Sequence, residues 1–215
     1  MPEISQTSAN HQPSSRRTRR IVTVSGRGVR GKFPSRKSVR AAEYESRVEN
    51  LALQFLEVAP SVTSIATQPR VFEYMDGPRR RRYTPDVAIE IGTANGTAYL
   101  EVKDDGAFIR SSRAADRIRA AIRYLRQRGE CLYIVFRADL VANNLQLRLE
   151  LLFRTRPVRT RYRADIDAAL WDPENGSLPP ADVQEQWEDA KRQCDDLLRR
   201  IMNRDPDDLL PASSR

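Results

Sequence analysis

Histidine is almost absent: His11 is the only one in 215 residues. It stands in a polar stretch without periodicity, so imidazole drops out as an expected metal ligand or general base. Cysteine is nearly as scarce. Cys131 and Cys194 lie far apart in the chain and match no metal-ligand spacing. Neither a disulfide framework nor a zinc module is expected, and both are read as reduced, buried thiols of a cytoplasmic protein. No segment approaches the roughly 18 consecutive apolar residues of a membrane helix. Met1–Arg20 offers no apolar stretch that could act as a secretory signal. Aromatics make up 7% and are not interleaved with basic residues, which argues against base stacking as a mode of nucleic-acid contact. Gly26, Gly28 and Gly31 are not a dinucleotide fingerprint, because no strand-turn-helix unit surrounds them.

What the chain has is charge, unevenly placed. Residues 1–40 hold ten Lys/Arg against one acid, residues 41–159 hold 19 against 15, and residues 160–215 hold 8 against 13. The basic arm and mildly basic body suit a polyanion, since each neutralised phosphate releases counterions; a merely solubilising arm would look the same. At 40% hydrophobic residues the length suits one domain with tails. We expect a disordered basic arm over 1–20, a folded domain over 21–158 and an acidic C-terminal extension over 159–215 with a helix at about 182–203.

Ile21-Val-Thr-Val24 reads as a short strand and Phe33-Pro-Ser-Arg-Lys37 as the end of a basic loop. Glu43–Val58 carries Val48, Leu51, Ala52, Phe55 and Leu56 on one helical stripe, stopped by Pro60. Val62–Thr67 and Arg70–Tyr74 are β-prone, and Asp76-Gly77-Pro78 marks a turn before Arg79–Arg82. Tyr83–Ile91 and Thr97–Lys103 form a hairpin around Ala94-Asn-Gly96. A helix capped by Ser111 or Ser112 runs to Arg128, Cys131–Phe136 reads as a buried strand, and a further helix spans about Leu140–Phe153. Residues 172–180 have linker composition; Asp182 and Glu185 then cap a helix whose stripe is Val183, Trp187, Ala190, Cys194, Leu197 and Ile201. That stripe could bind a partner or fold back on the domain. The order of elements predicts an α/β fold with a central mixed β-sheet flanked by helices.

The chemistry concentrates in Tyr83-Thr-Pro-Asp86 and Glu101-Val-Lys103. Side chains alternate faces along a strand, so Glu101 and Lys103 share one face, and Asp86 opens the neighbouring strand. Two carboxylates with an adjacent ammonium make a hard oxygen site suited to Mg²⁺, which retains several waters and needs only one or two carboxylates. Phosphodiester hydrolysis calls for this combination. A solvated Glu-Val-Lys strand is the plain alternative, but the residues around Glu101 are apolar, and a charged pair there needs partners.

Phe33-Pro-Ser-Arg-Lys37, Glu45-Ser-Arg-Val-Glu49, Gln68-Pro69, Tyr83-Thr-Pro-Asp86 and Glu101-Val-Lys103 occur in an order and spacing that resembles the TnsA-like N-terminal endonuclease domain, with Asn143-Asn-Leu-Gln-Leu-Arg148 as a late echo. The resemblance covers about residues 30–155. It implies a restriction-endonuclease-like core of the PD-(D/E)XK superfamily, with 21–158 as the nuclease domain. It implies Glu49, Asp86, Glu101 and Lys103 as catalytic residues, with Glu49 the helical carboxylate, Asp86 the central metal-binding aspartate and Gln68 in support. Asp86, Glu101, the Val102 carbonyl and Glu49 would hold Mg²⁺, with Mn²⁺ able to substitute, and Lys103 would orient the attacking water. Double-stranded DNA is the implied substrate, contacted by Arg79, Arg80, Arg81, Arg82 and Lys37. The implied partners are a DDE-type transposase subunit and an AAA+ ATPase regulator, in a bacterial or phage- or plasmid-encoded system without a membrane role. About 55 residues of net negative charge follow the core, fewer than the second domain of the family's large members. A stand-alone phage, plasmid or defence nuclease therefore stays open, as does a non-cutting DNA-binding assembly subunit.

Overall fold

A computed structural model describes residues 29–92, 94–155 and 180–211. The expected arm over 1–20, the strand at Ile21-Val-Thr-Val24 and the linker before residue 180 lie outside the described residues. A small ribbon of β1 (Gly31–Phe33) and β2 (Ala42–Tyr44) leads into α1 (Arg47–Val58). The helix begins later than the periodicity suggested, because Ser46 is its cap: the hydroxyl accepts the Glu49 N–H at 3.1 Å. Residues 42–44 are consequently free to pair as a strand. Pro60 forces Ala59 out of helical geometry and ends α1.

Four strands make the central sheet, in the order β3 (Val62–Thr67), β6 (Val87–Ile91), β7 (Ala94–Lys103), β8 (Cys131–Phe136). The first two pairings are antiparallel and β7 with β8 is parallel, which gives the mixed sheet expected. The crossover between β7 and β8 carries α2 (Ala107–Arg110) and α3 (Ser112–Arg126). Ser111 caps α3, and Gly129, at φ +70°, turns the chain into β8. Strand alternation divides the core in two. Val87, Ile89, Leu100 and Val102 face α1, while Ala88 and Tyr99 face α3. This is a restriction-endonuclease-like arrangement of a mixed sheet between helices.

Several elements differ from expectation for local reasons. Arg79–Tyr83 is a strand, β5, paired with β4 (Phe72–Asp76) around Gly77, which sits at φ +59°. Phe72, Tyr74 and Tyr83 supply its buried face, so the arginines are not a loop and Tyr83 is severed from β6 by Thr84-Pro85-Asp86. The single helix expected at Leu140–Phe153 is broken into α4 (Arg137–Val141), a 3₁₀ turn (Ala142–Asn144) and α5 (Leu145–Thr155), because Asn143 and Asn144 adopt positive φ. Cys131 is exposed at the start of β8, whereas Cys194 is buried; the first residue of a strand clears the helix layer that covers its middle.

The last helix, α6 (Ala181–Met202), lays Trp187, Ala190, Cys194, Leu197 and Ile201 into the same core as α1 and α5. Its first residue follows Pro180 without a side-chain cap, so Asp182 and Glu185 do not form the expected pair. Asp195 Oδ1 accepts the Ser61 backbone N–H at 3.1 Å and hydroxyl at 2.7 Å, tying α6 to the entry of β3. Arg204 forks onto Asp139 at 2.8 and 2.9 Å at the head of α4. The apolar stripe is thus spent on intramolecular packing. Among the described residues no helix is long and apolar enough to cross a membrane.

Lys37 corrects the sequence reading outright. It was expected to contact DNA, yet it is buried, and its ammonium donates to the Leu56 and Ala59 carbonyls at 3.1 and 2.5 Å. A lysine placed there satisfies orphan carbonyls at the C-terminus of α1. Trp187→Ala should destabilise the chain by about 3–5 kcal/mol in urea unfolding, while Leu147→Ala, on the exposed face of α5, should cost less than about 0.5 kcal/mol. Equal, small costs would mean that α6 does not belong to the core.

Candidate active site

The pairing of β6 with β7 builds the site. Val87 lies opposite Leu100, so Asp86, one residue before β6, falls beside the end of β7, and its Oδ2 accepts the Val102 N–H at 2.8 Å. Gln68 at the end of β3 donates its backbone N–H to the Asp86 carbonyl at 2.9 Å, and Pro85 is buried just ahead of it. Asp86 is therefore fixed from both neighbouring strands. Gln68 adopts φ +46°, a conformation costly for a side-chain-bearing residue and tolerated where surrounding structure demands it.

Lys103 joins the two carboxylates. Its ammonium is 2.6 Å from Glu101 Oε1 and 3.6 Å from Asp86 Oδ2, and it donates to the Val102 carbonyl at 3.2 Å. The other Glu101 oxygen accepts the Tyr83 hydroxyl at 2.6 Å. Glu101 keeps only 7% of its side-chain exposure, whereas Asp86 keeps 22% and Lys103 29%. The pair Asp86 and Lys103 opens onto a cleft of about 460 Å³ whose wall includes Arg82, Tyr83, Thr84, Glu101 and Arg117.

Glu49 stands beside this group but is turned toward its own helix. Its Oε1 accepts the Ser46 hydroxyl at 3.0 Å and its Oε2 the Glu45 N–H at 2.7 Å. In this state Glu49 braces the start of its helix through the Ser46 hydroxyl and the Glu45 N–H. Among the described residues no three carboxylate, imidazole or thiol groups form a ready-made metal cage. The structure brings Asp86, Glu101 and Lys103 into contact and leaves Glu49 at electrostatic range.

Electrostatics show a shortage of positive charge. Burial, then the charge of Glu101, holds the Asp86 carboxyl well above the usual range, with Lys103 opposing and Glu49 adding to the rise. Burial also raises Glu49, against its bonds from Glu45 and Ser46. Burial works against the Lys103 ammonium, but Glu101 and Asp86 outweigh it, so the group stays protonated beyond its ordinary range. Burial and the Glu101 charge push Tyr83 well up, keeping it an O–H donor. Three carboxylates face one ammonium. Two carboxylate side chains with an adjacent backbone carbonyl are all-oxygen donors that suit a hard divalent cation, and Gln68 Oε1 is a further buried oxygen without a hydrogen-bond partner.

The arginines divide by strand alternation. Arg80 and Arg82 point outward and share Glu73, at 2.5 and 3.3 Å, while Arg81 turns in to Asp76 at 3.1 Å. Arg79 is exposed at the turn. Arg81, expected to meet DNA, is thus occupied by a partner in the hairpin. Arg117 of α3 lies on the cleft wall. The apolar pattern of Tyr83–Ile91 suggests one continuous strand, and this hides the contact between Tyr83 and Glu101.

Residues 59–135 match the family described as TnsA-like endonuclease N terminal. The matched span runs from the end of α1 to β8 and includes Asp86, Glu101 and Lys103 but not Glu49. No curated protein matches the chain.

A carboxyl whose folded pKa exceeds its unfolded value favours the fold while protonated and opposes it once ionised. Asp86→Asn should therefore raise the melting temperature of the metal-free protein at about pH 8. The gain should shrink toward about pH 4, where the aspartate of the unfolded chain itself protonates. A variant less stable than wild type at the higher pH would contradict this electrostatic reading.

Proposed function

From a chain whose residues 59–135 match the TnsA-like endonuclease N-terminal family, we propose a divalent-metal-dependent DNA endonuclease that hydrolyses phosphodiester bonds at transposon ends together with a transposase subunit. The observation that carries this reading is the contact of Asp86, Glu101 and Lys103 at the mouth of an arginine-walled cleft. Asp86, Glu101 and the Val102 carbonyl would hold Mg²⁺, or Mn²⁺ in its place, with Glu49 contributing after release from its helix cap. Such a cation neutralises phosphate charge and lowers the pKa of water.

The remaining work falls to the chain. The raised pKa of Lys103 makes it a charged hydrogen-bond donor that orients the attacking water and the scissile phosphate, rather than a proton acceptor. Arg82 and Arg117 flank the cleft and meet phosphates beside the cut. Arg80 and Arg82 extend the contact along the outer face of the hairpin, exchanging Glu73 for the DNA backbone. A backbone-reading surface of this kind carries no base specificity, which fits a cut placed by a DDE-type transposase subunit and an AAA+ ATPase regulator.

Asp86→Ala and Lys103→Ala should each lower nicking of an end-bearing plasmid by about 100-fold or more, measured with the transposase present and with circular dichroism confirming the fold. Undiminished nicking by both would remove the assignment. Arg80→Ala with Arg82→Ala should weaken duplex binding and reduce the slope of log affinity against log salt by about 1–2; an unchanged slope would place the DNA elsewhere.

A further inference from the structure

Glu101 is buried, yet its two carboxylate oxygens are held by donors of different character. Lys103, on one oxygen, sits at the end of a flexible stem, is 29% exposed, and has the Val102 carbonyl and Asp86 within reach as alternative partners. Tyr83, on the other, is 5% exposed and belongs to the aromatic cluster with Phe72 and Tyr99. Phe72 is its cross-strand partner in the hairpin and meets Tyr99 edge-on at 5.3 Å. The ring is therefore clamped, and its hydroxyl reaches Glu101 Oε2 at 2.6 Å.

We propose that Tyr83 is a positioning residue for metal capture: its hydroxyl fixes the Glu101 carboxylate so that the oxygen shared with Lys103 is presented to a divalent cation beside Asp86. The assignment rests on the metal site proposed above. A cation arriving at Asp86 and Glu101 competes with the ammonium for Oε1, and the ammonium, on a flexible and partly exposed stem, can withdraw into the cleft. Tyr83 does not move. Without it, a buried carboxylate oxygen loses its donor, and Glu101 is free to follow Lys103 instead of holding its angle. Loss of a hydrogen-bond partner behind a ligand typically costs about 10–100-fold in metal affinity. Tyr83 also ends the strand that carries Arg80 and Arg82, so the ring fastens the cationic face of the hairpin to the metal carboxylate.

The test uses the full chain and Ca²⁺ or Mn²⁺ alone, titrated by calorimetry and by thermal shift, for wild type, Asp86→Ala, Tyr83→Phe, Glu101→Ala and the Tyr83→Phe/Glu101→Ala pair. Tyr83→Phe keeps the ring and should shift the metal midpoint about 10-fold or more upward, and should add nothing in the Glu101→Ala background. A midpoint equal to wild type, with Asp86→Ala abolishing binding, overturns the role of Tyr83 while leaving the metal site standing. A shift confined to the metal-free melting temperature does the same, since that is what a packing role would produce. No metal binding by wild type overturns the site itself, and this inference with it. Should Tyr83→Phe fail to fold, proton NMR of wild type decides: a slowly exchanging phenolic proton that persists at Ca²⁺ saturation and is lost in Glu101→Ala supports the assignment, and its disappearance on Ca²⁺ addition overturns it.

Discussion

One ammonium serving too many carboxylates is the constraint on which the rest of this structure turns. Lys103 neutralises Glu101 at 2.6 Å and reaches Asp86 less closely, at 3.6 Å, with Glu49 adding a third negative group nearby. A fold selected for stability alone would remove one of these acids or add a second base, because an ionised carboxylate short of partners is expensive away from water. The hairpin instead holds Asp86 in place by the Val102 N–H and the Gln68 N–H, and holds Glu101 by Tyr83. The backbone is arranged to keep the acids together despite their repulsion, as sites that bind cations and perform proton chemistry commonly are.

The hairpin β4–β5 gives the site its second property. Its inner face is aromatic and closes over α3, while its outer face alternates into Arg80 and Arg82. The same strand thus supplies core, cation and, through Tyr83, a hydrogen bond to Glu101. At the other edge, α1 is finished by buried Lys37 and α6 is stitched to Ser61 by Asp195. These contacts hold the helix layer against the sheet face opposite α3, and they explain why a stretch as acidic as 181–211 folds onto a basic body.

Period and punctuation made much of this visible in the chain itself. Val62–Thr67 and Cys131–Phe136 declare themselves as strands by β-branched and apolar runs, and Ser111 and Gly129 bracket α3 by cap chemistry. Asp86, Glu101 and Lys103 could be placed together because strand alternation needs no tertiary information. What stayed hidden depended on partners distant in sequence. Lys37 looks like a surface cation until the carbonyls of Leu56 and Ala59 close around it. Arg79–Arg82 looks like a solvated run until Phe72 and Tyr74 supply the opposite strand. Two consecutive asparagines at positive φ broke a helix that apolar periodicity alone would have continued, and the choice made by the Trp187 stripe between a partner and the core could be settled only by seeing the surface it meets.

The most direct measurement of the central claim is the anomalous scattering of Mn²⁺ in crystals of the full chain. The account predicts an ion bonded to Asp86, Glu101 and the Val102 carbonyl, with the Lys103 ammonium displaced from Glu101 Oε1. Crystals saturated with Mn²⁺ that show Lys103 still seated between the two carboxylates, and no ion in the cleft, would contradict it.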